Sequence, residues 1–172
     1  MDRHEIANAL IHQHAQFVNT VRAIPEQEVV RSNHGKWSPA QQLDHIVRSV
    51  SPVRMAFSLP TIALRIKFGT SNRSSRTYDA LVERYHEKLG AGGKASGPYL
   101  PGTTTSVNDN AQKLLYLVQS LCRKIEGLTE SQLDRFILPH PLLGKLTLRE
   151  MLYFTLYHVQ HHHAQIPRNN VA

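Results

Sequence analysis

Four stretches of this chain repeat apolar side chains every three or four residues, and no run alternates long enough to make a convincing strand. That pattern commits the chain to helices packed against one another. The first stretch covers residues 4–23, with Ile6, Leu10, Phe17 and Val21 at helical spacing and Pro25 beyond its end. The second opens on Ser38 as an N-cap, with Pro39 at the first helical position and Gln41 closing a capping box. It carries Leu43, Ile46, Val47, Val50 and Val53, and Pro52 predicts a kink or a break there. Apolar residues resume through Leu64, Ile66 and Phe68 until Gly69 ends them.

The third helix is predicted over residues 107–126 around Leu114, Leu117, Val118, Leu121 and Ile125, with Gly127 as its stop. The fourth starts at Thr147, with Glu150 as its capping-box partner, and runs to about Gln165, before Pro167. A polar stretch, 26–36, joins the first two. Residues 70–106 form a long Ser/Thr/Gly/Pro-rich connection with a short helix predicted over 78–89, the kind of segment that serves as a lid or binding loop. Thr129 to Phe136 adds a turn of helix, and His140-Pro141-Leu142-Leu143-Gly144 reads as a turn. The fold expected is all-α, a four-helix bundle forming one domain over 1–172. Short joins favour antiparallel neighbours, and the long connection permits a crossover.

With 41% apolar and 19% charged residues, the chain can bury a core. Its single cysteine, Cys122, leaves neither a disulfide framework nor a thiolate cluster for zinc. Met1-Asp2-Arg3-His4-Glu5 lacks the apolar core of a signal peptide, and the uncharged stretch 55–64 is too short to span a bilayer. A reduced, cytoplasmic setting is the expectation. The net charge of +7 is spread along the chain without a dense basic run, which argues against a nucleic-acid binder. A mild excess at Arg65, Lys67, Arg73 and Arg76 suits an anionic small molecule.

The chemistry concentrates in Tyr157-His158-Val159-Gln160-His161-His162-His163. The apolar lane of the last helix runs through Leu148, Met151, Leu152, Thr155 and Val159. At about 100° per residue, His162 falls near the centre of that lane and His158 about 60° to one side. Four residues apart, the two imidazoles stack on one face and can share a metal ion. His161 and His163 read as flanking or exposed. His45, in the second helix, is the best third ligand. It lies off the apolar stripe, on a lane with Gln42, Ser49 and Ala56, which suits a pocket wall and a solvated face equally. Three neutral imidazoles suit zinc, nickel, iron or manganese and leave a position open for water or substrate.

Other histidines read as weaker signals. His12 and His14 are two apart and are expected at the surface, and His140 suits a turn. Trp37 reads as a core staple ahead of the cap. Gln165, one turn beyond His162, is a candidate to orient a ligand. No phosphate-binding glycine motif or readable Ser/His/Asp arrangement is present.

Two segments carry a resemblance. Trp37-Ser38-Pro39-Ala40-Gln41-Gln42-Leu43-Asp44-His45 resembles the Trp-Ser-x(5)-Leu-x-His start of the second helix in the DinB-like superfamily, which includes the YfiT-type proteins. The His140-Pro141-x-x-Gly144 turn, the capped helix and His158-x-x-x-His162 with Gln165 are similar to that family's closing stretch. The resemblance implies a four-helix bundle of unusual connectivity. It also implies a divalent metal, often nickel or zinc, held by His45, His158 and His162, and a homodimer. It further implies a metal-dependent hydrolase or a transferase of low-molecular-weight thiols such as bacillithiol or mycothiol, acting on a small molecule. A non-catalytic bundle with a structural metal, or a stress-related binding protein, is the alternative. The chain departs from the family in the length of its 70–106 connection.

Overall fold

The computed structural model describes residues 1–32, 35–102 and 106–166. Helix α1, Arg3–Arg22, starts at Asp2, whose side chain accepts the N–H groups of His4 and Glu5. The turn α2, Glu26–Val29, leads to α3, Pro39–Ala56, which begins on the expected Ser38–Gln41 capping box. Then follow α4, Thr61–Phe68, and α5, Tyr78–Gly90. A 3-10 turn at Gly97–Tyr99 precedes α6, Val107–Glu126, and α7, Glu130–Arg135. The last helix, α8, Leu148–Gln165, opens on the Thr147–Glu150 capping box. The expected stop at Pro167 and the histidine at position 34 lie outside the described residues.

The four long helices make the bundle. α1 and α3 each pack against α6 and α8, and α5 lies on α8. Their apolar lanes meet in one core, in which Phe17, Leu43, Ile46, Leu114, Leu121 and Leu152 are all almost fully buried. Among the described residues no helix is long and apolar enough to cross a membrane.

Several sequence expectations give way. The second helix does not break at Pro52 but continues to Ala56. A proline there forfeits one backbone hydrogen bond, and the burial of Val50 and Val53 on either side outweighs that loss. The His140–Gly144 turn closes a small hairpin that was not expected, β1, Ile137–His140, paired antiparallel with β2, Gly144–Thr147. Its strands are four residues long and one contains Pro139, so neither shows an alternating pattern. Gly144 sits at φ +76°, a conformation that favours glycine.

His14 is the third correction. It is fully buried rather than at the surface, because it shares the lane of Leu10 and Phe17. Its Nδ1–H donates to the Leu10 carbonyl at 2.8 Å, which leaves Nε2 as a buried lone pair without a partner among the described residues. Burial pushes this imidazole down to about 4 from an ordinary 6.5. Above pH 6.5 both folded and unfolded chains carry it neutral. Between 6.5 and 4 only the unfolded chain takes up the proton, so stability falls as pH falls, by up to about 3 kcal/mol from this residue. Urea titrations at pH 7 and pH 5 should show His14→Leu losing distinctly less stability than the wild type over that interval.

The connection between α4 and α5 is pinned rather than loose. Ser71 N–H donates to the Arg135 carbonyl at 2.8 Å, and Thr70 bridges Phe136. Arg73 and Arg76, expected as ligands for an anion, instead bind the buried carboxylate of Glu150 in α8.

Candidate metal centre

The capping box at Ser38 fixes where α3 begins, and so fixes which side chains face the end of α8. One turn in, Gln42 and His45 meet His158 and His162. All four are buried, and the three histidines are at most 6% exposed. The long connection makes this possible: Tyr99 packs over the face of α3 that periodicity alone left open to solvent.

The three histidines converge through the same atom. His45 Nε2 lies 3.1 Å from His158 Nε2, which lies 3.2 Å from His162 Nε2. Each outward nitrogen that has a partner has an acceptor. His45 Nδ1–H donates to the Tyr99 carbonyl at 2.6 Å. His162 Nδ1–H donates to Gln42 Oε1 at 3.1 Å, and the Gln42 amide is itself held by Nε2–H donation to the Trp37 carbonyl. These bonds place the protons of both rings on Nδ1 and leave both Nε2 atoms as bare lone pairs. His158 can offer at most one Nε2 proton, so it cannot satisfy both neighbours. A cation between the three nitrogens can. Ligand nitrogens around a tetrahedral ion sit about 3.3 Å apart when metal–nitrogen bonds are about 2.05 Å, close to the spacing here. Among the described residues this is the group of histidine, cysteine or carboxylate side chains whose ligand atoms converge closely enough to hold an ion.

Electrostatics favours the neutral, ligating form. Burial drives His158 and His162 well below the ordinary imidazole value, and the neighbouring histidines push the same way. Burial also lowers His45, against the opposing pull of the Tyr99 carbonyl and Asp44. Asp44 points away from the cluster. Its carboxylate accepts from Arg48 Nε at 2.7 Å, Gly102 N–H at 2.8 Å and Asn110 Nδ2 at 3.3 Å, tying the connection and α6 to α3.

Around the cluster, Trp37 lies parallel to the His162 ring at 6.1 Å and 4.8 Å from the His45 ring, so it covers the site instead of stapling the core. Phe154 stacks on His158 at 4.8 Å. Gln165 does not reach the cluster: its amide bonds His161 at 2.7 Å, and Gln42 orients His162 in its place. The sequence signal for Gln42 was its position three residues before His45 on one lane. His163 bonds Thr20 at 2.8 Å, on the α1 side.

The histidines form one wall of a cavity of about 600 Å³ between α3, α5, α8 and the hairpin. His140 lines it too. Its Nδ1 accepts the N–H groups of Leu142 and Leu143 at 3.1 and 3.0 Å, so its proton sits on Nε2, on the opposite ring edge. Burial lowers its pKa to about 4, which keeps it a neutral donor.

Replacing Gln42 by Leu removes the acceptor that fixes the His162 tautomer. Metal affinity, measured by competition with a chromophoric chelator, is expected to weaken by about 10- to 100-fold with the fold intact.

A model of the DinB superfamily matches residues 9–166 of this chain. No curated protein sequence matches it. Among solved structures it is similar to YfiT from Bacillus subtilis, described as a probable metal-dependent hydrolase with an unusual four-helix bundle topology. The TM-score is 0.65 at 18% identity, over 95% of this chain and 83% of that one. A likeness at that identity speaks for the fold.

Proposed function

The chain belongs to the DinB superfamily, and on that premise we propose that it is a metal-dependent enzyme acting on a small molecule, with His45, His158 and His162 as the ligands of one divalent ion. The observation that carries this reading is the convergence of three Nε2 atoms, within 3.1–3.2 Å along the chain of contacts, on the wall of a cavity large enough for a substrate. When bound, a metal with three protein ligands keeps a position for water or a thiol and makes it a nucleophile near neutral pH. Nickel and zinc suit the all-imidazole donor set, as do iron and manganese.

The chain's own residues do the rest. The Tyr99 carbonyl and Gln42 hold two imidazoles in the ligating tautomer. Trp37 and Phe154 pack on the rings and exclude water from that side. His140 presents a fixed neutral N–H to the cavity, suited to a developing negative charge on substrate. Hydrolysis of the small molecule, or transfer of a low-molecular-weight thiol onto it, would use this same arrangement.

The test is elemental analysis of untagged protein, as purified and after reconstitution with nickel, zinc and manganese. About one metal per chain is expected, the stoichiometry of a three-histidine site, and it justifies screening ester hydrolysis and thiol transfer side by side. No bound metal under any of these conditions would sink the reading.

A further inference from the structure

The cavity beside the histidines is far larger than a metal and its water require, and its lining has a consistent chemistry. From His45 to Ala56 along α3, and from His162 back to Met151 along α8, it follows both helices for about 16 Å at 1.5 Å per residue. The walls away from the histidines are largely apolar, with Val53, Phe68, Leu89, Leu138 and Met151 among them. Among the described residues no aspartate or glutamate lines the cavity.

Its charged lining residues are Lys67 and Lys94, both exposed and therefore at its rim. Neither lies within ion-pair distance of a carboxylate among the described residues, whereas Arg48, Arg73, Arg76 and Arg149 all do. The Lys67 ammonium sits 5.3 Å from the centre of the ring of Phe68, itself a lining residue. A long apolar slot with unneutralised ammonium groups at its rim complements one kind of ligand.

We propose that the substrate is an amphiphilic anion: an elongated acyl or aryl body that fills the slot, carrying an anionic group that meets Lys67 and Lys94. This rests on the reading of the cavity as the enzyme's substrate site, but the binding it predicts does not depend on the metal. Apolar area buried in the slot supplies affinity. The two lysines supply the sign of the charge. An anion of the same size that is polar throughout gains no such burial and loses water against the apolar stretches of wall.

The test is titration calorimetry of full-length protein, as isolated and again after chelation, with probes of matched chain length below their micelle concentrations. Decanoate is expected to bind in both preparations, about tenfold more tightly than decyltrimethylammonium, from two rim-exposed charge contacts. Lys67→Met/Lys94→Met, at exposed positions outside the core, should bring the two probes to equal affinity without weakening the cation. Acetate should not bind measurably. Equal binding of both decyl probes by the wild type, no binding of either, or a preference unchanged in the lysine variant would each overturn the proposal. Decanoate binding to protein that takes up no metal would keep this proposal while removing the metalloenzyme reading. Metal uptake without decanoate selectivity would do the reverse.

Discussion

Saturating a metal-free preparation with nickel or zinc at about a thousand times its dissociation constant is expected to raise unfolding free energy by about 4 kcal/mol. His158→Ala/His162→Ala is expected to abolish that gain. The unfolded chain has no means of holding residues 45, 158 and 162 within one coordination sphere, so the three-imidazole site exists in the folded state alone. Scanning calorimetry at fixed free metal reads the effect as a rise in Tm. The double variant should keep its helical circular dichroism, and each protein's rise is read against its own metal-free Tm. An equal rise in wild type and variant would put the ion elsewhere, for example on the exposed histidines of α1. The pH dependence has a defined sign. Protons compete with metal for Nε2, and His158 and His162 are held well below 6.5 by burial. Retention of metal should therefore extend below pH 6.5, where free imidazoles would already be protonated.

Glu150→Ala is expected to destabilise the protein by about 3 kcal/mol or more, a large effect for one residue of the first helical turn. This carboxylate is fully buried. It accepts from Arg73 through both guanidinium nitrogens at 2.6 and 2.8 Å, from Arg76 through backbone and side chain, and from the Thr147 N–H at 2.9 Å. Burial alone would raise its pKa, but the bonds from Arg73, Arg76 and Thr147 outweigh it and hold the group below the ordinary value. Removing it strands two guanidinium groups and leaves the Thr147 N–H of the α8 capping box without its acceptor. Because Arg73 and Arg76 are about a third exposed, water recovers part of the loss, so the low end of the range for broken buried pairs applies. A depressed carboxylate stabilises above its unfolded pKa, near 4.5, and loses that contribution as pH falls through the folded value. Denaturant midpoints at pH 7 and pH 4 should therefore converge between wild type and variant. Glu150→Gln, which keeps an acceptor without the charge, should fall between them.

The parts of the fold that were legible in the sequence are those governed by neighbours along the chain. Capping boxes at Ser38 and Thr147 and the apolar lanes of α1, α3, α6 and α8 follow from residues three and four apart. So does the pairing of His158 with His162. The third histidine was harder, since whether His45 faces solvent depends on what packs over α3, and that is a segment more than fifty positions away. His14 was misplaced for a different reason: set beside His12 it looks like a surface pair, whereas set between Leu10 and Phe17 it is a core position. The hairpin escaped notice because two four-residue strands, one holding Pro139, carry too short a pattern. Arg73 and Arg76 showed their charge but not the buried carboxylate that binds them.

His45 takes its orientation from a main-chain carbonyl, at Tyr99, and the segment that presents it is moored through Gly102 N–H to Asp44, the neighbour of His45 itself. The grip on this imidazole therefore belongs to the course of the backbone and not to any side chain there. Substitution at position 99 can leave it untouched, while one residue inserted or deleted between 91 and 102 would slide it out of reach. Homologues that differ in the length of this crossover would then differ in how firmly they hold an ion, even with all three histidines in place.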